Sequence, residues 1–157
     1  MYGAGLSLLK NTHLAETSTS ELGAEGERLA AEYLSRRGFD LVCRNFRAPV
    51  GRNRSGARIT GEIDLVAMDG DTVCFIEVKT RSGPAFGGPL SAVDVRKQRQ
   101  ISRVARIYRK IFGLEGAHFR YDAVGVSLLP GKKPDIEHRK AFWDESVFRK
   151  KRWAGEG

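Results

Sequence analysis

The alternation of hydrophobic and polar residues predicts two helices separated by a group of strands. Ser18-Thr19-Ser20-Glu21 is typical of a helix capping box, and apolar residues at helical spacing then continue to Arg37, directly before Gly38. A second helix is predicted from about Ser91 to Phe112. Its expected buried face consists of Ile101, Val104, Ala105, Tyr108, Ile111 and Phe112.

Short apolar runs between and after the helices predict the strands. The runs cover residues 39–46, 61–67, 75–79 and 119–129, with a weak final strand at 135–138. Gly, Pro and Arg residues predict loops at 47–58 and 81–89. The order α-β-β-β-α-β indicates an α/β domain with a mixed sheet over residues 18–148. We expect a disordered or loosely attached extension at 1–17 and a basic tail at 149–157.

The second and third strands form a predicted hairpin with charged residues on one face. If residues 69–72 close the turn, Asp64 lies directly opposite Glu77; if Asp69-Gly70 alone is the turn, Asp64 faces Phe75. In both registers Asp64, Glu77 and Lys79 share a face, because side chains alternate along a strand. The opposite face is expected to be apolar and consists of Ile63, Leu65, Ala67, Cys74, Ile76 and Val78.

Two neighbouring carboxylates with a lysine have two interpretations. Adjacent carboxylates repel each other unless a cation lies between them, and Mg²⁺ prefers oxygen ligands. A lysine beside such an ion can orient or deprotonate water and offset charge on a phosphate. Alternatively, the three residues form a surface salt-bridge ladder in which Lys79 pairs with Glu77 or Glu62. The spacing leaves both interpretations open.

The composition favours a polyanionic partner. The 157 residues carry a formal net charge of +8, and no apolar run is long enough to span a membrane. The N-terminal residues lack the features of a signal peptide. Cys43 and Cys74 lie in predicted strands and are expected to be reduced core residues. We therefore expect a cytoplasmic protein that binds nucleic acid.

The positive charge is concentrated in three segments. Five arginines and no acidic residue lie between Arg44 and Arg58. The second helix carries a basic ridge without an acid, and residues 149–152 form a third cluster, which is equally well explained as a solvated surface. The residues expected to bind phosphates are Arg52, Arg54, Arg81, Arg96, Lys97, Arg99, Arg103, Arg106 and Lys110.

Several motifs together resemble the YraN family, a largely uncharacterised group of bacterial proteins similar to archaeal Holliday junction resolvases. The resemblance covers roughly residues 21–138 and implies the restriction-endonuclease-like, PD-(D/E)xK fold, with three layers and a mixed central sheet flanked by helices. The matching stretches are Gly26-Glu27-x-x-Ala30-x-x-Tyr33-Leu34, Gly61-Glu62-Ile63-Asp64-Leu65-Val66-Ala67, Phe75-Ile76-Glu77-Val78-Lys79-Thr80-Arg81, Phe86-Gly87 and Arg120-Tyr121-Asp122-Ala123-Val124.

The resemblance also assigns roles. It implies that Asp64 and Glu77 are metal ligands, that Lys79 orients water or stabilises charge, and that Glu27 completes the metal site. The alternative for Glu27 is an ion pair with Arg28 or Arg37. Glu62 is either an outer ligand or a salt-bridge partner of Lys79.

These assignments predict an endodeoxyribonuclease that requires Mg²⁺ or Mn²⁺ and acts on structured or branched DNA. Similarity to the resolvases suggests a homodimer, because two-fold symmetric junctions need two cuts. The alternative is a DNA- or RNA-binding module that keeps the fold without cleaving. An enzyme acting on a small phosphorylated molecule is disfavoured by the extent of the basic segments.

Overall fold

The computed structural model describes residues 18–83 and 88–149. They form one sheet with a helix packed against each face. The helices are α1 (Thr19–Arg36) and α2 (Val95–Ile111). The strands are β1 (Asp40–Arg52), β2 (Arg58–Asp69), β3 (Thr72–Arg81), β4 (Phe119–Ser127) and β5 (Asp135–Trp143). Short 3₁₀ turns span Pro89–Ala92 and Glu145–Phe148. The predicted extension at 1–17, the Phe86-Gly87 motif and the predicted tail beyond Arg149 lie outside the described residues.

The five strands of the described chain form one mixed sheet in the order β1-β2-β3-β4-β5. Neighbouring strands are antiparallel except β3 and β4, which are parallel and are connected through α2. One core packs α2 against the sheet and includes Phe75, Val104 and Tyr108. A second core packs α1 against the other face and includes Leu34 and Ile76. The predicted α/β class and mixed sheet are therefore confirmed, and the element order agrees with the prediction.

The first helix begins as the sequence predicts. Ser18 Oγ accepts a hydrogen bond from Glu21 N, and Glu21 Oε2 accepts one from Ser18 N, which completes the capping box. The chain leaves the helix through Gly38, whose φ of 89° favours glycine.

The second helix begins later than predicted, and the last two residues of its predicted buried face are exposed. It begins at Val95 and not near Ser91, because the Asp94 side chain caps it by accepting a hydrogen bond from Lys97 N at 2.9 Å. Ile111 and Phe112 are 62% and 55% exposed, so the prediction that they are buried is wrong. Phe112 still packs against Tyr108, but it lies at the end of the helix and remains more than half exposed.

The predicted loop at 47–58 is mostly strand. β1 continues to Arg52 and pairs with β2 as far as Arg52 opposite Arg58, which leaves a turn at residues 53–57. Pro49 fits because β1 is an edge strand with a register shift between Pro49 and Gly51. Residues 51–60, which we call the β1–β2 arm, are all exposed.

The predicted last strand is also longer in the structure, because β5 continues past His138 to Trp143. Across the described residues, no helix is both long and apolar enough to cross a membrane.

Candidate active site

The register of the β2–β3 hairpin decides where the predicted carboxylates lie. Asp69 pairs with Thr72 and Leu65 with Ile76, which is the register set by a turn at 69–72. This is the first of the two registers that the sequence allowed. Asp64 lies just beyond the last pair, with its carboxylate in hydrogen-bond contact with that of Glu77. Asp64 Oδ2 also accepts a hydrogen bond from Val78 N at 2.8 Å, which anchors its carboxylate beside β3.

The alternation of side chains along β2 is interrupted at Asp64. Ile63 packs in the core beside α2, whereas Leu65, two residues further on, packs in the core beside α1. Asn45, at the corresponding place on β1, has a φ of 53°, which is unusual outside glycine. The predicted single apolar face is therefore wrong for Ile63, because a regular strand would place Ile63 and Leu65 on the same side.

Helix α1 contributes a third carboxylate to this end of the sheet. Carboxylate oxygens of Glu27, Glu62 and Asp64 all lie within 4.8 Å of one another. The close packing of α1 against β3 depends on Gly26, because a β-carbon there would overlap Thr80 Oγ1. Glu27 therefore faces the predicted site.

The alternative ion pairs predicted for Glu27 involve arginines that lie elsewhere. Arg28 Nη2 instead lies 2.7 Å from Glu25 Oε1, and its Nη1 lies 3.2 Å from Glu32 Oε2. Arg37 stacks over the Tyr33 ring at 4.2 Å.

Glu62 has a partner that the sequence interpretation did not include. Its Oε2 lies 2.6 Å from Arg47 Nε, so the predicted salt bridge with Lys79 is replaced by one with Arg47. Glu62 also lies in the carboxylate cluster with Glu27 and Asp64, so its role as an outer ligand stays a prediction.

Glu77 lies between two lysines. Lys79 Nζ is 3.4 Å and Lys97 Nζ is 3.7 Å from Glu77 Oε1. Lys97 was predicted to bind phosphate as part of the basic ridge of α2, and its contact with Glu77 was not predicted. The residue follows the N-cap Asp94 by one helical turn, but only the packing of α2 against the sheet directs it to β3.

The protonation of the carboxylates reflects their crowding. Burial, followed by repulsion from Asp64, raises the pKa of Glu77 to about 8. Burial raises the pKa of Asp64, although the hydrogen bond from Val78 opposes this shift. Partial burial and the charges of Asp64 and Glu62 raise the pKa of Glu27 to about 7. All three carboxylates are therefore costly to ionise together without an additional cation.

The donor set fits a hard divalent cation. Glu77 is only 2% exposed, and its Oε2 is buried without a hydrogen-bond partner. A buried carboxylate oxygen normally has a donor or a metal ion beside it. Glu77, Asp64 and Glu27 supply carboxylate oxygens, which are the ligands that Mg²⁺ and Mn²⁺ take in proteins.

A basic groove leads away from this cluster. It has a volume of about 550 Å³ and lies between the β1–β2 arm and the N-terminal half of α2. Its cationic lining residues are Arg52, Lys79, Arg96, Lys97, Arg99 and Arg103. Two segments that are distant in sequence thus come together beside Glu77. We call this surface the basic groove.

The other predicted phosphate-binding residues lie outside the basic groove. Arg54 is in the exposed turn of the arm, and Arg81 is exposed at the end of β3. Arg106 Nη2 lies 3.5 Å from Glu145 Oε2, and Lys110 lines a separate shallow depression on α2. The predicted ridge is therefore divided between two surfaces.

A second buried carboxylate, Asp122, belongs to the matching stretch at 120–124, but no role was predicted for it. It is fully buried, and its oxygens lie 2.9 Å from Arg120 Nε, 3.0 Å from His138 Nε2 and 2.9 Å from Ala141 N. Burial by itself raises the pKa of Asp122, but the hydrogen bonds from His138 and Arg120 lower it below the ordinary value. The Arg-x-Asp spacing at 120–122 was the available signal, but it gave no indication of the contact with His138.

Comparison with known proteins identifies related sequences of unassigned activity. The model of uncharacterised protein family UPF0102 matches residues 26–126. A UPF0102 protein of Chlorobium chlorochromatii is 42% identical over 134 residues, covering 82% of this chain and 95% of that protein. A UPF0102 protein of Rhodococcus jostii is 41% identical over 122 residues, covering 77% and 95%. The solved structure titled "Crystal structure of SSO0001" covers 89% of this chain and 60% of that chain at 15% identity, with a TM-score of 0.35, which is too low to define a common fold.

Proposed function

The chain belongs to uncharacterised protein family UPF0102, as its resemblance to the YraN family predicted, and we propose that it is a metal-dependent nuclease acting on structured or branched DNA. One observation carries this proposal. The Asp64 carboxylate lies beside that of Glu77, which contacts Lys79 and Lys97 at one end of the basic groove. Carboxylates beside lysines, next to a basic surface that can bind phosphates, are suited to phosphodiester hydrolysis.

The acidic residues would hold the metal ion. Asp64, Glu77 and Glu27 are the proposed ligands. Glu62 lies in the same cluster as Glu27 and Asp64, but its carboxylate is already paired with Arg47. A bound Mg²⁺ or Mn²⁺ supplies Lewis-acid stabilisation of phosphate charge and lowers the pKa of a water molecule. The hydrogen bond from Val78 N fixes one oxygen of Asp64, so this ligand needs little reorganisation on binding.

The two lysines would act on the phosphate and the attacking water. Lys79 lies on the rigid central strand β3, where its ammonium group can orient the water or offset negative charge. Lys97 reaches Glu77 from helix α2, whereas Lys79 reaches it from strand β3. A reacting phosphate beside Glu77 could therefore contact the ammonium groups of both lysines. The arginines of the basic groove would hold further phosphates, which sets the position of the DNA more than its sequence.

The proposal is tested by incubating the protein with linear, flap and four-way-junction DNAs in Mg²⁺ or Mn²⁺. We expect cleavage by the wild type and a loss of at least 100-fold in rate for Asp64→Asn and Glu77→Gln, since each removes a ligand charge. Glu25→Gln is a matched control, because Glu25 is an exposed acid of α1 that pairs with Arg28. Equal rates in all variants would trace the cleavage to a contaminant and overturn the proposal.

Metal binding is measured separately by calorimetric titration of Mn²⁺. Binding by the wild type and its loss in Asp64→Ala and Glu77→Ala would support the ligand assignment. Unchanged affinity in both variants would return these residues to the salt-bridge interpretation.

A second candidate function is a DNA- or RNA-binding module without cleavage. The basic groove favours it as much as it favours a nuclease, because phosphate binding does not need a reaction. Binding of DNA without cleavage of any substrate in either metal would support this candidate. The homodimer remains a prediction under both functions.

A further inference from the structure

The basic groove combines positive charge with an apolar floor. Val50 and Ile59 from the two strands of the β1–β2 hairpin and Ala92 from the turn before α2 line it between the cationic side chains. Ile59 is 39% exposed, so part of this floor is open to solvent. Val50 also packs against the core beside α2, whereas Ile59 does not belong to that core, so its exposed side chain is available to a ligand.

The charge of the basic groove is available to a ligand. Asp94 is the one acid among its lining residues, and its side chain is already occupied as the cap of α2, accepting from Lys97 N at 2.9 Å. Arg96 and Arg103 are both exposed on α2. They are seven positions apart, which corresponds to about 10 Å along the helix axis. The groove can therefore contact more than one phosphate.

The basic groove is also continuous with the carboxylate cluster. Lys79 and Lys97 line the groove and, in addition, lie 3.4 Å and 3.7 Å from Glu77 Oε1. A strand lying in the groove would therefore place one of its phosphates beside Glu77.

We propose that the basic groove between the β1–β2 arm and α2 binds a single-stranded segment of DNA next to the carboxylates. In a duplex the base faces are stacked inside, whereas an unpaired strand exposes both its phosphates and the faces of its bases. The apolar floor of Val50, Ile59 and Ala92 covers the base faces, and the arginines contact the backbone. No aromatic residue is among the lining residues, so stacking does not select a base and binding is independent of sequence.

This inference rests on the proposed function, which assigns the neighbouring carboxylates to a nuclease site. It specifies the substrate class as DNA that contains an unpaired strand. Flaps, gaps and open junctions contain unpaired strands, whereas intact linear duplex does not. The β1–β2 arm acts as the second wall of the groove, opposite α2.

The test measures binding without hydrolysis. Fluorescence anisotropy of a labelled oligonucleotide, single-stranded or annealed to its complement, is recorded in EDTA over a range of salt concentrations. The groove variant is Arg96→Gln/Arg103→Gln, and the matched control is Arg106→Gln/Lys110→Gln, which removes the same charge from the same helix outside the basic groove. Thermal melting of each variant verifies that these exposed substitutions leave the fold intact.

We expect the wild type to bind the single strand more tightly than the duplex. The groove variant should lose about tenfold in affinity, with a salt slope less negative by about 1.4, since each phosphate contact to a single strand contributes about −0.7. The control should change affinity by less than about threefold. Ile59→Ser should reduce the preference for the single strand, because it makes the floor polar.

Equal losses in the two double variants would overturn the inference, since they would indicate diffuse attraction to the whole molecule. Tighter binding of the duplex would also overturn it. Because no metal is present, single-strand binding that depends on Arg96 and Arg103 would stand even if the wild type cleaved no DNA. Conversely, if the wild type cleaves DNA but the two double variants lose affinity equally, the proposed function stands and this inference is overturned.

Discussion

At the scale of single residues, Glu77 has the least favourable environment for a charge among the predicted ligands. It is 2% exposed and faces Asp64, and both burial and repulsion raise its pKa, to about 8. Lys97 and Lys79 oppose this shift but do not cancel it. A site that binds a cation gains from this arrangement, because the ion relieves repulsion that the folded protein otherwise bears.

The raised pKa predicts that the metal-free protein loses stability as pH increases. Between the ordinary value of 4.5 and about 8, the folded state holds a proton on Glu77 that the unfolded state releases. The free energy of unfolding therefore falls as pH rises through this window, by more than about 1 kcal/mol. Urea denaturation in EDTA at pH 5 and pH 8 measures the difference.

The variant Glu77→Gln should reduce this dependence, because glutamine keeps the shape and cannot ionise. The remaining slope is expected from Glu27, whose pKa is raised to about 7. Glu25→Gln serves as the control, since the hydrogen bond from Arg28 lowers the pKa of Glu25 and it titrates below the window. A wild-type slope in Glu77→Gln would show that another group causes the pH dependence.

At the scale of elements, the distance between α1 and β3 decides whether Glu27 reaches the sheet. Gly26 is buried against Thr80, and the next residue carries the third carboxylate. Ala30, Ala31 and Leu34 continue the same contact along the helix. A small residue at one position therefore positions a functional side chain at the next.

We predict that Gly26→Ala is destabilising by about 1–3 kcal/mol, because the new methyl group must displace Thr80 or the helix. Gly23→Ala, one turn earlier, has no atom within 4 Å of its new β-carbon and should stabilise by about 0.5–1 kcal/mol through helix propensity. Chemical denaturation of both variants gives the two free energies. Mn²⁺ titration should also weaken in Gly26→Ala alone. Equal stability of the two variants would contradict the close approach.

At the scale of the whole molecule, a buried polar network ties the later strands together. β5 has extra residues opposite Tyr121–Ala123 of β4, and Ala141 there adopts a φ of 50°. Asp122 accepts the Ala141 N–H and also contacts Arg120 and His138. Arg120 in turn reaches Asp69 at the end of β2, so the network links β2 to β4 and β5.

We predict that Asp122→Asn costs about 3–5 kcal/mol, because it removes a buried charge and leaves Arg120 without its buried partner. Asp69→Asn is the control, since Asp69 is 32% exposed and contacts the same arginine at the surface, where an ion pair contributes less than about 1 kcal/mol. Urea denaturation at pH 7 compares the two. Similar losses would show that the exposed and buried ends of the network contribute equally.

The sequence by itself determined the features that depend on neighbouring residues. The capping box at Ser18 and Glu21 and the hairpin turn at 69–72 were correctly predicted, because capping and turn formation involve residues close along the chain. The hairpin also brings Asp64 and Glu77 together, so the centre of the candidate site followed from local patterns. The mixed sheet followed from the order of the elements.

Only the tertiary structure decided the features that depend on packing between distant segments. The contact of Lys97 with Glu77, the pair of Glu62 with Arg47, and the basic groove join residues from different layers or strands. Pro49 lies in a strand because β1 is at the edge of the sheet, and Ile63 changes sides because β2 is irregular at Asp64. Periodicity identifies which residues share a face, but it carries no information on which element packs against that face.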